Sequence, residues 1–330
     1  MFKPRHTQTL AGVAGAAPDR CLAALVAINP EAPAWPDVGA LLAARGATGA
    51  GVWLKTWWRH WRSHPHRAPL LQALQRRPAW AQRFAQDARY FHCAVSHFVD
   101  RRLGVAQRIT TMAADLHLAG LYLPPGLAQR IGRGEQVRLW SLDADLHLCL
   151  GWNDVSYHEG LWALSLRDAS GRRLYYLSFS FRPDGSVLVP TLQGPAGGDE
   201  DPRGLIRRIT KQAQGLRPQN LLMAALRAAC AHWRIERLAG IAPAHHVKGR
   251  WNLRGNRLRF DYTGFWQEQG GCPAADGHWT LPLDLPPRAA ADIPAQKRAM
   301  YRRRQVLLDD LAATLTGALG GAQTEELLAA

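Results

Sequence analysis

In FDYTGFWQEQGG, residues 260–271, the phenol of Tyr262 stands ahead of the carboxylate of Glu268, and the segment closes on Gly270-Gly271. A phenol can give a proton and a carboxylate can take one, the two halves of general acid–base chemistry at a cleft. A helix stopped by the glycine pair puts Tyr262 and Trp266 on one face with Phe265 and Gln269 beside it, a pattern that core-facing helices share. His245 and His246 follow an apolar stretch at 236–242 that reads as a strand. They fall at its carboxyl end, where open α/β sheets take ligands, so His246 joins Tyr262 and Glu268 as a proton-transfer candidate.

A second chemistry, the holding of an anion, is suggested by the start of the helix predicted from Pro218. Pro218 suits the first helical position, which makes Arg217 the cap, and a guanidinium cannot accept hydrogen bonds from the first backbone N–H groups. Residues 202–233 carry Arg203, Arg207, Arg208, Lys211, Arg217 and Arg227 and no Asp or Glu. Open amides, the positive end of the helix dipole and adjacent arginine suit phosphate or pyrophosphate, bordered here by Gly215, Leu216, Arg217 and Asn220. Alternatively, Asn220 or a loop carbonyl satisfies the same donors. The glycine-rich QGPAGG at 193–198, led by Gln193 and Gly194, competes for the anion role.

VWLKTWWRHWR, residues 52–62, repeats Trp53, Trp57 and Trp61 at four-residue spacing, with Lys55, Arg59 and Arg62 completing the turns. Indoles favour the headgroup level of a bilayer and arginines favour anionic lipid, so this is the composition of an interfacial helix; turned inward, the same stripe would be core. KRAMYRRR, residues 297–304, offers Arg302 and Arg303 to lipid or phosphate in the same way. A net charge of +15 and a pI near 10.4 agree with an anionic lipid or a phosphorylated ligand as partner. Nucleic acid has charge alone behind it, with no DNA- or RNA-reading motif.

These side chains need elements to position them. Residues 51–125 read as basic helices broken at His64-Pro65, Ala68-Pro69 and Arg77-Pro78. From about residue 135 the apolar period becomes two, in LHLCLGW, LWALSL and RRLYYLSFSF, separated by turn-forming NDVSYHEG, DASGR and RPDGS. With SVLVPTLQG these make an antiparallel meander with one buried face. A helix over 202–213 capped by Asp201, the helix from Pro218 and the strand at 236–242 then form a parallel crossover. The aromatic helix, a strand at GHWTLPL and a basic helix over 294–315 finish the chain. The expected fold class is α+β, a helical N-terminal part followed by a mixed sheet covered by helices. Residues 1–50, rich in Ala, Gly and Pro, are expected as a loosely ordered lead-in, 51–125 as a basic helical region and 126–330 as the α/β domain.

Five cysteines, Cys21, Cys93, Cys149, Cys230 and Cys272, are odd in number and form no C-x-x-C pair, which points to a reducing compartment. CLAALVAI is too short to span a bilayer, and LAGVAGAA is too weakly apolar for a secretion signal. The expected location is the cytoplasm, in contact with a membrane. His92, Cys93 and His97 lack metal-ligand spacing, and no metal is expected. G-x-S-x-G, H-E-x-x-H and G-x-x-x-x-G-K-[ST] do not occur, so serine hydrolase, zincin and P-loop readings have no support.

GLRPQNLLMAAL, HHV, FDYTGFWQEQGG and DIPAQKRAMYRRRQVLLDDL resemble, in order, the blocks of the VirK/YbjX family of Gram-negative bacterial proteins. The resemblance implies a cytoplasmic or inner-membrane-associated protein connected with envelope integrity and virulence, including tolerance of cationic peptides. His246-Val247 matches; Ala242-Pro243 stands where the family tends to show Ser-Asn, and Asp115-Leu116 where it usually has His-Tyr. The order of meander, crossover helix, strand, aromatic helix and last strand is also similar to GNAT-type acyltransferases. That likeness implies acyl-CoA as cofactor, with pyrophosphate at Gly215, Leu216 and Arg217 and Tyr262 protonating the leaving thiolate; the residues themselves name no cofactor.

Overall fold

A computed structural model describes residues 33–46, 49–195, 201–249, 260–286 and 289–320. Residues 1–32 of the expected lead-in lie outside the described residues. Its remainder contains helix α1 (Val38–Arg45), held by two caps: Asp37 accepts from the Ala40 amide at 2.7 Å, and Gly46 closes the helix at a left-handed φ of 58°. Leu41 of α1 is fully buried.

Six helices follow: α2 (Ala50–Ser63), α3 (Ala68–Arg76), α4 (Pro78–Gln86), α5 (Arg89–Ser96), α6 (Val105–Tyr122) and α7 (Pro125–Gly132). Pro69, Pro78 and Pro125 stand in the first helical turns, where a missing N–H costs nothing. The 3-10 turn His64–His66, containing Pro65, separates α2 from α3.

The meander consists of β1 (Val137–Ser141), β2 (Leu146–Trp152), β3 (Trp162–Asp168), β4 (Arg173–Phe181) and β5 (Val187–Gln193), each antiparallel to the next. Two helices, α8 (Pro202–Gln212) and α9 (Pro218–His232), cross over to β6 (Leu238–Gly240), which lies parallel to β5. After α10 (Tyr262–Glu268) come β7 (Cys272–Pro273) and β8 (Trp279–Leu281), and α11 (Arg298–Leu319) ends the described chain. The sheet order is β1-β2-β3-β4-β5-β6-β8-β7, so β8 sits between β6 and β7. The architecture is α+β.

The meander was expected to bury one face and to need cover on the other, and nearly every residue of β2 to β5 is buried, whichever way it points. The alternate positions of β3 and β4 hold small buried residues, Ala163, Ser165, Ser178 and Ser180, and the Ser178 hydroxyl meets the backbone of the turn at Glu159. Both α6 and α9 pack against β4. An aromatic cluster fixes α4 to the sheet: Trp152 stacks on Trp162 at 4.6 Å, and Trp80 meets Trp162 edge-on at 4.9 Å. Asp115 of α6, fully buried, accepts from the Trp162 indole at 2.8 Å, the Phe181 amide at 2.7 Å and the Ser180 hydroxyl at 2.9 Å.

Candidate functional site

The parallel pair is short. β6 pairs with β5 over residues 187–189 only, and the Ile241 amide makes the last link, to the Val189 carbonyl at 3.1 Å. Beyond it β5 continues to Gln193, while the chain after β6 turns away through the 3-10 turn Pro243–His245. Side chains fill the resulting gap. Tyr262, the first residue of α10, enters it because Trp266 of the same helix packs flat on Gly240; a Cβ on Gly240 would lie 2.5 Å from that indole. His246 arrives from the turn after β6, and Glu159 from the 3-10 turn Tyr157–Glu159 between β2 and β3.

Glu159 has no exposed surface, and its carboxylate is the centre of the group. Lys248 Nζ hydrogen-bonds Oε2 at 3.0 Å and makes an ion-pair contact with Oε1 at 2.9 Å. Gln193 Nε2 donates to Oε2 at 3.2 Å, and the Tyr176 hydroxyl does so at 3.5 Å. The Ser178 hydroxyl donates to the Glu159 backbone carbonyl, which fixes the turn on the sheet. His246 accepts the Lys248 amide at Nδ1, 3.1 Å, so its ring proton sits on Nε2. That nitrogen lies 3.3 Å from Glu159 Oε1 and 3.5 Å from the Tyr262 oxygen. The Tyr262 oxygen also accepts from the Leu192 amide at 3.4 Å and shares a hydrogen bond of 3.0 Å with Thr191.

Burial sets the proton affinities. It lifts the Glu159 carboxyl above the usual carboxylate range, with the Lys248 ammonium pulling the other way. It lowers His246 to about 3, and Lys248 adds to that shift, so the imidazole is neutral at physiological pH. It raises the Tyr262 phenol as well, so the hydroxyl gives up its proton less readily than a free phenol does. Should Tyr262 do so, the phenolate would face the Leu192 amide, the Thr191 hydroxyl and the His246 Nε2–H, three donors already in place.

Of the residues singled out from sequence, Tyr262, His246 and Gln193 meet here. Glu268 does not: it lies at the far end of α10, half exposed, and pairs with Arg217 at 3.3 Å. The carboxylate beside Tyr262 is Glu159 instead. Gly194 follows β5 and lies against the Tyr175 ring. The start of α9 has no side-chain cap, as expected, but its amides are largely engaged. Gly215 donates to the Thr210 carbonyl at 2.7 Å, Leu216 to Ala213 at 3.0 Å, and both Asn220 and Leu221 to Arg217 at 3.0 Å. Asn220 Oδ1 accepts from Gln269 at 3.3 Å. The carbonyl of Gln214 is clamped by Arg304 of α11, so the turn is closed from outside. Gly215, Arg217 and Arg303 line one surface groove with Arg207 and Lys211, and Leu216 and Arg302 line another. Sequence reasoning missed Glu159, Lys248 and Tyr176. Only the proximity of Lys248 to His246 gave any signal; Glu159 sits in a stretch composed like a solvated turn.

Helix α2 shows its tryptophans to solvent. Trp53, Trp57, Trp58 and Trp61 are 41–57% exposed and Leu54 is 59% exposed, while the helix turns Thr56 and Ser63 inward. Trp58 and Trp61 stack on each other at 5.2 Å. Lys55, Arg59 and Arg62 interleave with the indoles. Among the described residues, no helix is long and apolar enough to cross a membrane.

The site and sheet together define an α+β protein with a buried Glu–His–Tyr–Lys centre at the parting of one parallel strand pair. The chain belongs to the VirK/YbjX family: the family described as "Protein of unknown function (DUF535)" matches residues 54–316. An uncharacterised protein of Haemophilus influenzae is 30% identical over 244 residues, 74% of this chain and 82% of that one. "Membrane protein LapB" of Mannheimia haemolytica is 28% identical over 216 residues, 65% of this chain and 93% of its own. The uncharacterised protein YbjX of Escherichia coli is 28% identical over 156 residues, 46% of this chain and 47% of its own. No solved structure matches.

Proposed function

We propose that this protein is an envelope-associated protein that docks peripherally on an anionic membrane surface through α2, at the cytoplasmic face of the inner membrane. The exposed indole face of α2 carries the reading. The four tryptophans stand about half exposed and outside the buried core, on a helix that buries Thr56 and Ser63. Indoles seat at the headgroup level, and the interleaved Lys55, Arg59 and Arg62 match anionic lipid. The LapB relative is named a membrane protein, which supports the same placement. Replacing Trp53, Trp57 and Trp61 by alanine should abolish co-sedimentation with phosphatidylglycerol vesicles while leaving the circular dichroism spectrum unchanged. Undiminished sedimentation of that variant would sink the proposal.

A second reading, acyl transfer from acyl-CoA, has its own observation in its favour: a proton-bearing Tyr262 ringed by three donors where β5 and β6 diverge. Tyr262 would protonate the departing thiolate, and the neutral His246 and the Leu192 amide would hold the phenolate. The engaged amides of Gly215 and Leu216 leave the pyrophosphate to other groups. An acyl-CoA that raises the melting temperature of the wild type, with thiol release lost in Tyr262→Phe, is the expected result. Thiol release at wild-type rate from Tyr262→Phe would remove Tyr262 from the chemistry.

A further inference from the structure

The first turns of α11 line a groove of about 660 Å³. Arg298, Tyr301, Arg302, Gln305 and Leu308 recur at helical spacing, so one face of the helix looks into it. The rest of the lining is mostly apolar, with Leu216 from the turn before α9, Leu285 from the loop after β8 and Ile293 from the approach to α11. Leu285 stands 43% exposed, an apolar side chain left open to water in the groove. The charge is of one sign: Arg298, Arg302 and Arg304 line the groove, and among the described residues no carboxylate does. Arg298 Nε donates to the Ile293 carbonyl at 3.3 Å, and Arg304 Nε and Nη2 donate to the Gln214 carbonyl at 3.1 and 3.0 Å. A carbonyl has no net charge, so both guanidiniums keep theirs. Arg302 is exposed, and among the described residues nothing engages it. The neighbouring groove of Arg207 and Arg217 differs, because Asp201 and Glu268 already face those two.

We infer that this groove binds the anion of a long-chain fatty acid, with its chain along Leu216, Leu285, Ile293 and Leu308 and its carboxylate at Arg302. The apolar lining calls for a hydrocarbon, and the unpaired positive charge calls for an anion at one end of it. Arg302 offers its whole planar fork, which a carboxylate meets with two parallel hydrogen bonds. Arg298 and Arg304 have committed donors to backbone oxygens and add attraction without a second free fork, so a single negative charge suits the site. The volume lies within the roughly 300–1,000 Å³ of pockets that enclose one small ligand, which matches a single acyl chain rather than a two-chain phospholipid. The site stands apart from docking through α2, since no residue of α2 lines the groove.

Equilibrium dialysis of the full chain against labelled dodecanoate, below its micellar concentration, tests the site. Each methylene taken out of water is worth about fourfold in affinity, so octanoate should compete on the order of a hundredfold more weakly. Dodecyltrimethylammonium, the same chain with a cationic head, should not compete. Arg302→Gln should weaken dodecanoate binding about tenfold, the worth of one charge-assisted hydrogen bond. Leu285→Asp, which puts a charge among the apolar side chains at an already exposed position, should abolish binding. Arg303→Gln removes the same charge one residue away, outside this groove, and should leave binding unchanged. The Trp53, Trp57 and Trp61 alanine variant should also bind as the wild type does. No binding by the wild type, equal competition by octanoate or by dodecyltrimethylammonium, or full binding by Arg302→Gln or Leu285→Asp overturns the site. So does an equal loss in Arg303→Gln, which would trace the attraction to net charge alone. Loss of binding in the tryptophan variant would place the fatty acid on α2, overturning the groove and leaving the docking reading intact.

Discussion

Burial lifts the Asp115 carboxyl to about 7, against the pull of the Phe181 amide and the Ser180 and Trp162 donors. A group whose affinity for protons is higher in the fold than in the unfolded chain contributes stability below its unfolded value, and loses it as pH rises through the folded one. Asp115 therefore favours the fold at about pH 4 and opposes it above about pH 7. Asp115→Asn keeps the oxygen that accepts from Trp162 and Phe181 and removes the charge. The melting temperature of the variant relative to wild type should rise between pH 5 and pH 8; a fall over that range would show that the carboxylate charge itself is needed. Tyr262 and His246 could be read from the sequence because an aromatic-glycine segment and paired histidines after a strand are local patterns. Glu159 could not, since what makes it special is the depth of its turn against β4 and the arrival of Lys248 from a distant part of the chain.

Helices make the same point about facing. The four-residue repeat in α2 was legible as a stripe, but a stripe does not say which side of it is wet. The structure answers through Thr56 and Ser63, which are buried while the indoles are not. Trp80 of α4 is the opposite case, with 1% exposure, contacts to Trp152 and Trp162 and a hydrogen bond to the Leu116 carbonyl. Truncating Trp80 to alanine should cost about 3–5 kcal/mol, as for other fully buried large side chains. Truncating Trp57 should change stability by no more than about 0.5 kcal/mol. Chemical denaturation measures both, and similar losses would mean that α2 packs its indoles on something within the chain. Gly215 marked the break after α8 and Pro218 the start of α9, yet the amides around that start are taken by the Thr210, Ala213 and Arg217 carbonyls, which no local pattern specifies.

Across the whole molecule, stability should be graded from sheet to periphery. Strands β2 to β5 are buried on both faces and tied to α4, α6 and α9, so their amides should open only with global unfolding. The short strands β6, β7 and β8 beyond them, and α2 with two buried residues, have less holding them. Hydrogen exchange of the free protein should thus show slow amides in β2 to β5 and fast ones in α2. Adding anionic vesicles should slow exchange in α2 and leave the central strands as they were, because docking through a surface helix adds contacts there and leaves the core unchanged. Protection that appeared instead around Glu159, His246 and Tyr262 would move the interaction from the indole face to the buried centre. Slowing spread evenly over the sheet would mean that the fold as a whole responds, and α2 would lose its claim to be the docking element.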